Sequence, residues 1–276
     1  MDADTAMRLA ALTSDFYARR GPTFSATRDH PWRGWSLCLP HIDNLIEARG
    51  TTPTDAPPPG PPIEQPCPQG PAGGPGASSC SVLDIACGNL RFLDYLTASF
   101  PATSWSYCGV DNATTMVAAG RGFHVLDIMA ALFRGDLEAE LPSTAVDLSV
   151  CFGFLHHVPG SDLRKQLVTA QVAGTRPGGL AILTAWQFAL DTRKQAKAAT
   201  TTERANRRLS LTGLDDGDYL LGWDDSDDAL RYCHSFSDAE IDDLVAAVAD
   251  QAQPIARFRA DGKSNAMNTY LVFQVK

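Results

Sequence analysis

The chain of 276 residues has no uncharged apolar run approaching the roughly 18 residues of a membrane-spanning helix. It also has no basic excess: 23 Lys and Arg stand against 32 Asp and Glu, a net charge of −9, which excludes a generally basic nucleic-acid coat. The seven cysteines (38, 67, 80, 87, 108, 151 and 233) are odd in number and scattered, with no C-x-x-C pair. Neither a metal site nor a disulfide framework is expected from them, and they read as mostly buried thiols in a reducing cytoplasm. Met1-Asp2-Ala3-Asp4 lacks the basic-then-apolar order of a secretory signal, so a cytoplasmic location is expected. What remains, 44% hydrophobic and 20% charged, is a globular composition.

Residues 51–80 stand apart, with ten prolines, five glycines and no Lys or Arg. Such a segment buries too little to offset its ordering entropy, which predicts a loose, partly extended linker. It separates an N-terminal helical lid segment, 1–50, from a main domain over 81–276.

From Val82 onward, short apolar runs alternate with helical patterns. Ser81–Ile85, Ser106–Val110, Phe123–Leu126, Val146–Phe152 and Leu180–Thr184 read as five strands. Helical spacing follows the first strand (Leu90, Phe92, Leu93, Leu96, Phe100), the second (Asn112 to Ala119) and the fourth (about Asp162 to Ala173), and Arg176-Pro177-Gly178-Gly179 reads as a turn. This alternation predicts βαβ units, hence an α/β Rossmann-like fold with a mostly parallel sheet. Ile255–Arg259 and Thr269–Val275 read as an antiparallel C-terminal hairpin, with a helix over Asp238–Asp250 before it.

Ligands of open parallel sheets bind beyond the carboxyl ends of the strands, where the first strand turns into its helix. Here that corner is Asp84-Ile85-Ala86-Cys87-Gly88-Asn89-Leu90. A dinucleotide site would use G-x-G-x-x-G, and the loop has one glycine. Two acids follow at successive strand ends, Asp111 and Asp127, either of which also suits a helix N-cap. The pattern V-L-D-I-x-C-G-N resembles the first motif of class I S-adenosylmethionine-dependent methyltransferases, over about residues 80–186, and implies their seven-stranded sheet. The resemblance implies S-adenosyl-L-methionine as cofactor. It places Asp84, Ala86, Gly88, Asp111, Asp127, Ile128 and Phe152 beside it, with Asp111 on the ribose hydroxyls and Asp127 on the adenine amino group. The chain departs from that family at Ala86 and Leu90, where glycine is usual. Alanine fits if its φ is negative, and Leu90 is expected in the first helical turn, pointing away from the ligand.

Three more segments, Tyr17 to Trp32, His156-His157 and Arg231-Tyr232-Cys233-His234-Ser235-Phe236, resemble in order the eukaryotic tRNA wobble-uridine carboxymethyl methyltransferases. That likeness implies a carboxymethyl-type acid on tRNA as methyl acceptor and a small zinc-binding activator protein as partner, with no membrane. A carboxylate is already ionised and needs no base, and Arg holds it best, by two parallel bonds. Arg28 and Arg231 are the candidates, one for the acceptor and the other for the methionine carboxylate of the cofactor, in either order. Tyr17, His157, Tyr232 and His234 are expected to orient the acceptor, Tyr17 also lying near the cofactor. If the acceptor is a hydroxyl or amine, His157 or His234 becomes the base.

An insertion at about 188–230 divides its charge. Residues 188–210 hold six bases against two acids, and residues 215–228 hold seven aspartates and no base. It reads either as a basic helix following an RNA backbone or as a lid over a small-molecule pocket. A small-molecule methyltransferase and a non-catalytic cofactor-binding protein are the rival functions.

Overall fold

The computed structural model describes residues 1–27, 30–50, 79–112, 123–142, 145–223 and 226–276. The expected linker through residue 78, the helix after the second strand and Arg28 lie outside the described residues. Ser79 and Cys80, assigned above to the linker, already belong to the first strand.

Nine strands are described. Seven of them, β1 (Ser79–Ile85), β2 (Ser104–Asp111), β3 (Phe123–Val125), β4 (Val146–Cys151), β5 (Thr175–Trp186), β8 (Ala252–Ala260) and β9 (Asn268–Val275), form one sheet in the order β3-β2-β1-β4-β5-β9-β8. The first five are parallel, and β9 runs antiparallel to both β5 and β8. The chain order reverses between β1 and β4, which makes the carboxyl end of β1 the switch point. Arg176-Pro177-Gly178-Gly179 is not a separate turn. It lies within β5 as the irregularity in its pairing with β4, between the paired Thr175 and Leu180, with Gly178 at φ +76°, a value only glycine adopts without strain.

Alternation along β1 divides the core. Leu83 and Ile85 face a cluster with Ile128, Leu132, Leu167 and Leu244, beneath α4 (Ile128–Arg134), α6 (Ser161–Ala173) and α8 (Asp238–Ala247). Cys80 and Val82 face Trp35, Ile42, Phe92 and Leu96, from α2 (Arg33–Gly50) and α3 (Arg91–Ser99). Burial pushes the thiols of Cys38 and Cys80 up to about 12, so they act as small apolar groups here.

Helix α1 (Ala3–Ala26) is capped by Asp2, whose side chain accepts from Thr5 N at 2.9 Å, and lies against the insertion. The described residues of the insertion form a helix and a second, two-stranded sheet. Helix α7 (Thr192–Leu209) buries Ala198, Thr201, Thr202 and Ala205, spaced for one face, on the antiparallel pair β6 (Asp218–Trp223) and β7 (Ser226–His234). Among the described residues, no helix is long and apolar enough to cross a membrane.

Candidate active site

The loop after β1 forms a hook. Ala86, Gly88 and Leu90 all have positive φ (+59°, +55° and +62°), so the negative φ expected for Ala86 is not what the backbone adopts. The left-handed region costs a residue with a Cβ about 1–2 kcal/mol. What opposes that cost is visible. Cys87 N donates to Val110 O at 3.1 Å, Leu90 N to Cys87 O at 3.1 Å, and Gly88 N to Asp111 Oδ2 at 2.9 Å. Leu90 is not in the first helical turn but is the residue before α3, and its side chain is fully buried among Cys87, Trp35 and Phe92. It therefore points away from the loop mouth, as the sequence suggests. A Cβ on Gly88 would meet nothing within 4 Å, so that position opens outward.

Beneath the hook, Asp84 is buried and accepts from the Tyr107 hydroxyl. Burial pushes its carboxyl up to about 7, against the pull of the Tyr107 bond and of Arg91 and with the push of Asp111. Asp127 is exposed and caps α4, its Oδ1 accepting from Ala130 N at 2.9 Å, while the Ile128 side chain is buried in the core. Phe152, at the end of β4, is half-buried among Phe92 (ring centroids 4.9 Å), Trp35 (5.7 Å) and Tyr270 (6.0 Å). Trp32 closes that side: a Cβ on Gly153 would sit 2.8 Å from its ring.

The residues expected to meet the acceptor come from α1, the turn Leu155–His157 and β7. His157, 3% exposed, places Nδ1 2.7 Å from the carbonyl of Tyr232 and Nε2 2.9 Å from the Tyr17 hydroxyl. A carbonyl only accepts, so Nδ1 carries the proton; in the neutral ring Nε2 accepts from Tyr17. Cys233 Sγ lies 3.7 Å from Nδ1, its thiol pushed up to about 11 by burial against the downward pull of Arg231. His156, His157 and Cys233 bring potential metal ligands within 4.8 Å of one another, but Nδ1 is already committed to the carbonyl. The Arg231 guanidinium lies 4.8 Å from the Phe16 ring and 5.8 Å from the Trp223 ring, under α1, with 7% of the residue exposed.

Tyr232 and His234 are a correction. Side chains alternate along a strand, so Arg231 and Cys233 share one face of β7 while Tyr232 and His234 share the other. There the Tyr232 hydroxyl donates to Asp218 Oδ1 at 2.6 Å and accepts from Arg164 at 3.3 Å. His234 bridges Asp218 Oδ1 (2.7 Å) and Glu240 Oε1 (2.8 Å). Burial disfavours the charged imidazolium, but the two carboxylate bonds outweigh it and raise the His234 pKa. With both ring nitrogens bonded, His234 is no base for an acceptor; the pair holds β7 in place.

Tyr107, Phe16, Trp223, Asp218 and Glu240 were not singled out from sequence. Phe16 and Trp223 follow only from packing. Asn89 ties the hook to α1, its Nδ2 donating to Ser25 Oγ at 3.1 Å.

Residues 82–179 match a family model described as a methyltransferase domain. No curated protein sequence matches the chain. Among solved structures, an S-adenosylmethionine-dependent methyltransferase from Methanosarcina mazei superposes with a TM-score of 0.50 at 15% identity, over 72% of this chain and 92% of its own. DhpI, solved as a complex with SAM and HEP, superposes with a TM-score of 0.52 at 13% identity, over 99% of each chain. At these identities the likeness speaks to the fold, which is the Rossmann-like methyltransferase fold with an added antiparallel pair.

Proposed function

We propose that this chain, which carries a methyltransferase domain over residues 82–179, is an S-adenosylmethionine-dependent methyltransferase whose acceptor bears an anionic group. The observation that carries the reading is the hook at the switch point. Two residues with side chains, Ala86 and Leu90, are held in the left-handed region so that the loop keeps its course and closes on Asp111. Strain of that kind persists where the surroundings over-determine it, and it concentrates at ligand clamps.

The cofactor supplies an electrophilic methyl carbon on a sulfonium. Methyl transfer is an in-line displacement, so the protein's main task is alignment. Asp111, steadied by the Gly88 N–H, offers a carboxylate at the rim of the hook, suited to a vicinal diol. Ala86 and Gly88 keep the backbone there thin. Asp127 caps α4 with one oxygen, leaving its carboxylate at the exposed end of β3 for the adenine amino group. Arg231, spread between Phe16 and Trp223, is the group for the acceptor's anion, which assigns the methionine carboxylate to Arg28.

Calorimetry with S-adenosylmethionine tests the core of this. The intact protein is expected to release or absorb heat on binding, Asp111→Ala to lose binding, and Arg231→Ala to keep it. Absence of both heat and thermal shift in the wild type would sink the proposal.

For the acceptor, the burial of Arg231 beneath α1 favours a low-molecular-weight acid. The second reading is the tRNA wobble-uridine carboxymethyl group, with a zinc-binding activator, supported by the three segments around Tyr17, His157 and Arg231 and by the exposed Arg193 and Arg207 of α7. Labelled cofactor offered separately to total tRNA, with and without an added partner fraction, and to the small-molecule fraction of a cell extract decides between them.

A further inference from the structure

Resting on the methyltransferase reading, we infer that the methylated atom is not the anion held by Arg231 but a second, proton-bearing nucleophile of the same small acid, a hydroxyl or amine, and that Tyr17 and His157 take its proton. The geometry separates an anchoring end from a proton-accepting end. Arg231 lies against Phe16 at 4.8 Å; Phe16 meets the next residue's ring, Tyr17, edge-on at 5.2 Å. The Tyr17 hydroxyl in turn sits on His157 Nε2 at 2.9 Å. An acceptor that is only a carboxylate uses the first end and has no use for the second.

His157 is set up for one direction of proton flow. Its Nδ1–H is spent on the Tyr232 carbonyl at 2.7 Å, which fixes the tautomer and turns the Nε2 lone pair toward Tyr17. The groups facing the ring are Tyr17 from α1, Cys233 and, through Cys233, Arg231 from β7, and His156 on its own turn, with ring centroids 4.1 Å apart. None of these four groups is a carboxylate. In the step, the acceptor heteroatom bonds to the methyl carbon and the carbon–sulfur bond breaks, its electron pair going to sulfur. The acceptor proton passes to the Tyr17 oxygen as the Tyr17 proton passes to Nε2. The positive charge lost at the sulfonium reappears on the imidazolium, which releases a proton to water. Tyr17 and His157 are thus catalytic residues, and the Tyr232 carbonyl is a positioning group.

Two measurements test this. Nitrogen-15 spectra of histidine-labelled protein, with His157 assigned by its loss in His157→Gln, are expected to show a protonated Nδ1 and a lone pair on Nε2. The reverse tautomer would overturn the proposal and leave cofactor binding, read by calorimetry, untouched. In the second, methyl-labelled cofactor is incubated with the anion-exchange-retained small molecules of a cell extract, and the product is treated with mild alkali. An ether or methylamine survives; a carboxyl methyl ester releases labelled methanol, and that result overturns the proposal, as does no transfer by protein that binds the cofactor. His157→Gln is expected to lower kcat about 100-fold or more at unchanged cofactor affinity. If that variant fails to fold, Tyr17→Phe, at a half-buried and isosteric position, is expected to lower kcat at least about tenfold. A loss under twofold counts against the relay.

Discussion

Ala86 carries a methyl group where the backbone favours none, at φ +59°. Ala86→Gly relieves that strain and is expected to stabilise the protein by about 1 kcal/mol, seen as a higher melting temperature with cofactor binding retained. Leu90, at φ +62° and fully buried, behaves oppositely. Leu90→Gly gains the same relief but empties a core site worth about 2–5 kcal/mol, so the melting temperature falls. Asp84 gives a pH signature. Its carboxyl moves from the ordinary 3.8 up to about 7 in the folded protein, so the folded state holds the proton more tightly. Stability from this residue is full below about pH 4 and is lost as pH rises toward 7. Urea unfolding across that window is expected to show the wild type losing stability relative to Asp84→Asn; parallel curves would contradict the buried carboxyl. The sequence made Asp84, Gly88 and Asp111 legible because strand ends and small-residue loops leave a pattern. It hid the sign of φ at Ala86, since a backbone angle imposed by three hydrogen bonds leaves no mark in residue type.

At the scale of elements, β7 is what the sequence misrepresents most. Residues 215–228 read as part of an insertion, an acidic stretch of a possible lid, because seven aspartates depress strand propensity, yet Asp218 opens β6, buried, as the acceptor for Tyr232 and His234. Reading Arg231–His234 as a strand divides these residues between two faces; taken only as a motif, Arg231, Tyr232 and His234 are all expected at the ligands. The parallel strands were plain because fully buried strands are runs of apolar residues; the first two residues of β1 and of β2 were missed, and the start of β5 was lost to the residues Pro177-Gly178-Gly179. The polar anchor of β7 has its own pH window. Burial raises the Glu240 pKa, but bonds from His234 and Ser237 override this and carry it to about 2. Its contribution is present above 4.5 and lost as pH falls toward 2; that of His234, raised above 6.5, is full below 6.5 and lost as pH rises through the folded value. Glu240→Gln is therefore expected to destabilise more at mildly acidic than at alkaline pH, measured by thermal melts in matched buffers. An equal loss at both would mean the imidazole is not charged in the fold.

For the molecule as a whole, cofactor binding is a stability statement. A ligand that binds only the folded state at 100 times its Kd adds about 2.7 kcal/mol. Saturating S-adenosylmethionine is expected to raise the melting temperature of the wild type and of Arg231→Ala alike, and to leave Asp111→Ala unmoved. Equal shifts in all three would contradict the division between the hook and the acceptor side.

Asn89 and Ser25 join two separate parts of the fold, the hook on the sheet and the first helix of the chain. Three of the groups that would meet the acceptor, Phe16, Tyr17 and Arg231, lie outside residues 82–179, while Ala86, Gly88, Asp111 and Asp127, which would meet the methyl donor, lie within it. A change of clientele can thus accumulate in the outer pieces with little disturbance of the donor's berth, and the amide-to-hydroxyl tether is one place where a filled berth would be felt by the piece that chooses the client.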